Sequence, residues 1–161
     1  MNKYSILSLI VLVLSGCVQE ETLSNNSRKD LIIETRHTAL VEKGKDFSFN
    51  LLRQSFSNSI ESYVVSPLSL EFVLDMINYG AQGTSSSEIS TVLGYDAYDK
   101  RDVAEYAKSL NKQLLEIDRS TTLFSANGVY ISDKYKFTDY YYQGIREYYA
   151  ADARVLNFND A

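Results

Sequence analysis

From about Val41 onward, hydrophobic and polar positions alternate in blocks whose period switches from helical to extended and back. Phe49, Leu52 and Phe56 recur at i, i+3 and i+7, with Phe47 and Leu51 beside them, and this spacing predicts a helix with a broad apolar face. Tyr63-Val64-Val65 is a short β-prone run that stops at Ser66-Pro67. Ser66 is a good N-cap, and Pro67 suits the first helical position because the N–H it lacks would have no helical partner. The helix predicted over Pro67–Tyr79 is apolar nearly all round, interrupted only by Ser69, Glu71, Asp75 and Asn78. Such a helix belongs in the middle of a structure, covered on several sides. Gly80 is expected to end it in the left-handed conformation.

Gly83 opens the next turn, and Ser85-Ser86-Ser87-Glu88 has the form of a capping box. Ile89, Val92 and Leu93 line one face of the helix that follows, which Gly94 stops. Val103, Tyr106, Ala107, Leu110, Leu114 and Ile117 form the cleanest amphipathic stripe, with Lys108, Lys112 and Glu116 on the wet side. Leu123 to Ile131 alternates as a strand does, and Gly128 within it implies close backbone approach. Phe137, Tyr141, Ile145 and Tyr148 mark a further helix, and Arg154 to Phe158 a final strand. Helices segregated from an incomplete sheet predict an α+β architecture.

The first residues do not belong to this folded pattern. Lys3 precedes a run from Ile6 to Leu14 that is apolar except for Ser8, too short for the roughly 20 apolar residues of a membrane span and suited to a signal-peptide core. It ends in Leu14-Ser15-Gly16-Cys17, which resembles a bacterial lipobox. Cys17 is the only cysteine, and lipidation accounts for an unpaired thiol in an exported chain. The division expected is therefore a lipoprotein signal peptide over 1–16, a lipid-anchored tether and entry segment over 17–40, and a folded part over 41–161. The expected location is exported and anchored to a bacterial membrane through lipid on Cys17, facing the extracellular space.

Composition and charge narrow the function classes. The 161 residues leave room for one domain, with hydrophobic content of 45% and charged content of 23%. Net charge is −5 with no basic stripe, which argues against nucleic acid as a partner. Thirteen tyrosines accompany no tryptophan, and Tyr140-Tyr141-Tyr142 and Tyr148-Tyr149 read as paving for a helix with one buried and one wet face rather than as a sugar platform. Nothing supports enzymatic chemistry. His37, the only histidine, is expected to be solvated and has no G-x-S-x-G serine to serve. No Cys/His cluster has the spacing of a zinc site, and Gly80-Ala81-Gln82-Gly83 lacks the lysine of a phosphate loop. No cofactor, metal or catalytic residue is expected.

One stretch is more specific. Val64-Val65-Ser66-Pro67-Leu68-Ser69-Leu70, then Asn78-Tyr79-Gly80-Ala81-Gln82-Gly83-Thr84 and Glu88-Ile89, resembles the signature around helix B of the serpins. Phe47-Ser48-Phe49-Asn50-Leu51 is similar to their helix A, and Ser125-Ala126-Asn127-Gly128-Val129-Tyr130 to a strand of their central sheet. Tyr148-Tyr149-Ala150-Ala151-Asp152 with Val155, Asn157 and Phe158 resembles the end of helix E and the strand after it. Five motifs occur in register over roughly 41–161.

The resemblance implies the N-terminal part of the serpin fold, helices A–E with the first strands of the central sheet, stopping before the reactive-centre loop. It implies an inhibitor of serine or cysteine proteases, which acts when its loop is cleaved and inserts into the sheet. Ser66 and Ser69 would then belong to the shutter, the polar cluster beneath the sheet. A non-inhibitory binding module and a non-functional relic remain the alternatives. The 161 residues alone are expected to be poorly stable and non-inhibitory, because the Pro67–Tyr79 helix has too little to cover it and the strands keep unpaired edges.

Overall fold

The computed structural model describes residues 28–58, 62 and 64–159. The signal segment and Cys17 lie outside the described residues. A 3-10 turn over Thr35–His37 leads into α1 (Thr38–Asn58), followed by α2 (Pro67–Gly80), α3 (Gly83–Leu93), α4 (Lys100–Leu115), β1 (Gly128–Ser132), α5 (Asp139–Tyr149) and β2 (Asp152–Leu156). The architecture is α+β, as the hydrophobic pattern predicts.

The helix ends follow from local chemistry. Ser66 is the N-cap of α2, accepting from the backbone N–H of Ser69 at 3.3 Å, with Pro67 at the first position. Asp99 caps α4 by accepting from Arg101 N–H at 2.8 Å, and Thr138 caps α5 by accepting from Tyr141 N–H at 3.3 Å. Gly94 ends α3 at φ 73°, and Tyr95 N–H then donates back to Ser90 C=O at 2.7 Å.

Two readings of helix ends are corrected. Gly80 is the last residue of α2 and not left-handed; its partner is the Tyr141 ring, 2.5 Å from where a Cβ would stand. The Ser85–Glu88 capping box does not form, because α3 begins at Gly83 after Gln82. Ser86 instead donates its hydroxyl to Asn78 Oδ1 at 2.9 Å.

Two apolar clusters meet at α2. One joins Met76 and Tyr79 to Ala104 and Ala107 of α4 and to Ile145, Tyr148 and Tyr149 of α5. The other joins Leu40 and Phe47 of α1 to Leu93, Tyr95, Val103, Tyr106 and Leu110, and Phe72 touches both. The face predicted for α1 is only partly the buried one: Leu40 and Phe47 are inside, whereas Phe49 is 70% and Phe56 71% exposed. His37 is also inside, 2% exposed against the Tyr106 ring, which corrects the expectation of a solvated surface histidine.

β1 and β2 pair in parallel, Gly128 opposite Asp152 and Ser132 opposite Leu156, with α5 as the crossover that parallel pairing requires. Val129 and Ala153 face the cluster of α2, α4 and α5. Regular strand begins only at Gly128; residues 123–127 are not in a strand, and Phe124 is 88% exposed. Gly128 meets the Tyr130 ring of its own strand, not a second backbone. The short strand foreseen at 63–65 is not formed: Tyr63 lies outside the described residues, Val64 is fully exposed and neither Val64 nor Val65 is in a strand. In each case a β-prone run has no neighbouring strand with which to form a ladder.

Candidate functional site

α2 has two unlike faces. Towards α3, α4, α5 and the 94–99 turn it presents Glu71, Asp75, Met76, Asn78 and Tyr79, all buried. On the opposite side Val73 is 41% and Ile77 46% exposed. Three of the four polar interruptions, Glu71, Asp75 and Asn78, thus point inward, while the apolar Val73 and Ile77 are partly open where a helix covered on several sides was expected. The buried polar groups are all bonded: Tyr95 Oη donates to Glu71 Oε1 at 2.5 Å, Tyr149 Oη to Asp75 Oδ2 at 2.7 Å, and Asn78 Nδ2 to Ser90 Oγ at 3.0 Å. Their positions, i, i+4 and i+7, form one stripe. That stripe is visible in the sequence, but a polar stripe on a helix ordinarily signals water, and nothing local shows that tyrosines from elsewhere meet it.

The outward face starts at the helix cap. Ser66 and Ser69 are both exposed, and their hydroxyls lie 2.8 Å apart. The capping role of Ser66 is realised. The Ser69 hydroxyl bonds to that of its exposed neighbour Ser66. The two serines border a groove of about 410 Å³ lined by Phe72 and Val73 of α2, Leu114 of α4 and the extended residues 123–127. At its edge Asn127 Nδ2 donates to Tyr149 C=O at 2.7 Å, tying the groove wall to the end of α5.

The electrostatics of the two faces differ accordingly. Burial raises the Glu71 carboxyl above its ordinary value, opposed by the Tyr95 hydrogen bond. Burial pushes Asp75 up to about 7, with the Tyr149 hydrogen bond opposing it and the Glu71 charge adding to it. On the surface, Arg36 bridges Glu34, Asp102 and Glu105 at 2.9, 2.5 and 2.8 Å, and its hydrogen bonds hold the Glu34 and Glu105 carboxyls low. Among the described residues no group of His, Cys, Asp and Glu is placed to hold a metal ion, and no helix is long and apolar enough to cross a membrane.

The family model described as Serpin (serine protease inhibitor) matches residues 42–161. This chain belongs to the serpin family. It is 30% identical over 112 residues to Serine protease inhibitor 42Dd of Drosophila melanogaster, covering 70% of this chain and 30% of that protein. It is 24% identical to corticosteroid-binding globulin of Rattus norvegicus, covering 94% of this chain and 37% of that one. Reaction-loop-cleaved lamprey angiotensinogen has the same fold over 79% of this chain and 37% of its own, with a TM-score of 0.66 at 19% identity. Native stressed AtSerpin1 of Arabidopsis matches with a TM-score of 0.65 at 20% identity, covering 79% of this chain and 33% of that one. The chain spans about a third of the length of the relatives it matches.

Proposed function

We propose that this chain forms the N-terminal part of an inhibitor of serine or cysteine proteases, of the kind that traps its target after cleavage of a reactive loop. The observation that carries the reading is the outward face of α2. Ser66, Ser69 and Val73 border the groove walled by residues 123–127, which lead into β1, and the outer edge of β1 has no strand against it among the described residues. An apolar helix face beside a segment that leads into a free strand edge is the surface a larger sheet would cover, and the family match supports this reading. In this reading Ser66 and Ser69 lie beneath the strands that part to admit the cleaved loop, as shutter residues. The polypeptide acts as inhibitor and not as enzyme, and the reactive bond belongs to sequence outside these 161 residues.

Residues 17–40 are proposed as the link to a membrane, with lipid on Cys17. Such lipidation is read by growing the producing cells on labelled fatty acid: label in the protein and its loss in Cys17→Ser support the anchor, and an unlabelled protein overturns it.

The inhibitor reading is tested with the complete gene product. Mixed with a panel of serine and cysteine proteases, an inhibitor gives a covalent complex that survives boiling in detergent. Cleavage of the protein by every protease without such a complex overturns the reading. That result favours a serpin-fold binding module, the second reading, which the matches to corticosteroid-binding globulin support.

A further inference from the structure

The inward face of α2 carries a feature that does not depend on the inhibitor reading. Glu71 and Asp75 stand one helical turn apart, 6% and 4% exposed, and none of the described ion pairs involves either. Phenols face them instead. Tyr95 from the 94–99 turn bonds Glu71, Tyr149 from the end of α5 bonds Asp75, and Tyr106 of α4 lies close enough to Glu71 for its charge to act. From α1 the facing group is the Gly44 backbone, where a Cβ would stand 3.0 Å from Glu71 Oε2. From α2 itself the Tyr79 ring stands edge-on to Tyr149, at 6.3 Å between ring centres. Burial pushes Tyr106 up to about 12, and burial also raises Tyr79, Tyr95 and Tyr149, so none of these phenols ionises near neutrality. The carboxylates are the groups that answer to pH here.

We propose that Glu71 and Asp75 are a proton-operated latch, which when protonated seats α2 on the end of α5 and on the 94–99 turn, and which loosens both seats on losing its protons. The lever is Tyr149, the last residue of α5. Its side chain holds Asp75, its carbonyl accepts from Asn127, and the Asn127 carbonyl in turn accepts from Asp152 N–H at 2.9 Å, where β2 starts. A charged Asp75 draws water into this dry contact despite the Tyr149 bond, and opening the contact therefore reaches the place where both strands begin.

Burial without a cation disfavours the charged carboxylate and supports this direction, with Asp75 lifted to about 7. The sign follows from linkage. A carboxyl whose folded pKa lies above its unfolded value binds its proton more tightly when folded, so its stabilisation is complete below the unfolded pKa and is lost as pH rises through the folded one. For Asp75 that window runs from about 4 to about 7, over which the folding equilibrium constant falls by up to about tenfold per pH unit.

The test is denaturant unfolding of the complete gene product at about pH 5 and about pH 8, for the wild type, Asp75→Asn and Tyr149→Phe, with the infrared carbonyl band of protonated carboxyls recorded alongside. In the wild type stability is expected to fall between the two, and a protonated-carboxyl band present at the lower pH is expected to vanish at the higher. Asp75→Asn removes about one proton from the slope and that share of the band. Tyr149→Phe deletes the bond that favours the charged form and moves the loss to higher pH. It also reports if the asparagine variant fails to fold. An unchanged slope in Asp75→Asn, or an unmoved transition in Tyr149→Phe, overturns the latch.

Discussion

Ala150 has φ 51°, the only positive value among the described non-glycine residues, and it directly follows the last residue of α5. The left-handed region costs an L-residue about 1–2 kcal/mol, of which glycine's extra unfolded-state freedom would return part. Ala150→Gly is therefore expected to stabilise the domain by about 0.5–1 kcal/mol, read as a raised denaturant midpoint at unchanged slope. The opposite sign holds at Gly144. The missing side chain there lets the Tyr79 ring of α2 press against α5, while Gly80 of α2 receives Tyr141 of α5, so the two helices interlock by exchanging rings for glycines. A Cβ at Gly144 would run into the Tyr79 ring, itself stacked at 4.9 Å on Tyr140. Gly144→Ala is expected to cost about 1–3 kcal/mol by overpacking, seen in the same unfolding measurement.

Elements are held to one another by few, identifiable contacts. Residues 28–33, expected to be part of a loose entry segment, run along the end of α4. Lys29 N–H donates to Ile117 C=O at 2.8 Å, and the Gln113 side chain both accepts from Ile32 N–H at 2.6 Å and donates to Ile32 C=O at 2.9 Å. One amide side chain thus imitates a strand neighbour for a segment that has none. Gln113→Ala is expected to release the Ile32 amide, raising its hydrogen-exchange rate by about tenfold while the amides of α4 keep their protection. No change at Ile32 would show that the flanking Lys29 contact suffices.

For the whole molecule, two sets of carboxyls oppose each other as pH changes. Glu34 and Glu105 are held low chiefly by hydrogen bonds to Arg36, so their contribution is present above the unfolded pKa and disappears as pH falls through the folded one. Asp75 runs the other way. The Arg36 cluster is exposed and therefore screened by salt. Stability is expected to peak in the mildly acidic range, at about pH 4–5. Salt should weaken the acid limb and leave the neutral limb in place. A pH series of melting temperatures at low and high salt checks both, and a peak on the alkaline side would contradict the account.

Helix positions, some of their caps and strand tendencies were legible in the sequence because each depends on residues within a turn or two of one another, whereas the left-handed end foreseen at Gly80 and the capping box foreseen at Ser85–Glu88 did not form. The Ser66-Pro67 start of α2, the Gly94 stop of α3 and the stripe of α4 are of that kind, and their order carried the family signature. The direction each helix faces was not legible. Glu71, Asp75 and Asn78 turned inward because the partners that decide it, Tyr95, Tyr149 and the Ser86 and Ser90 hydroxyls, arrive from other elements, and Phe49 and Phe56 stand exposed. β-propensity at Val64 and at 123–127 likewise named segments fit for a ladder, but a ladder needs a neighbour. Local chemistry sets where an element begins and ends, and burial is decided only when the elements meet.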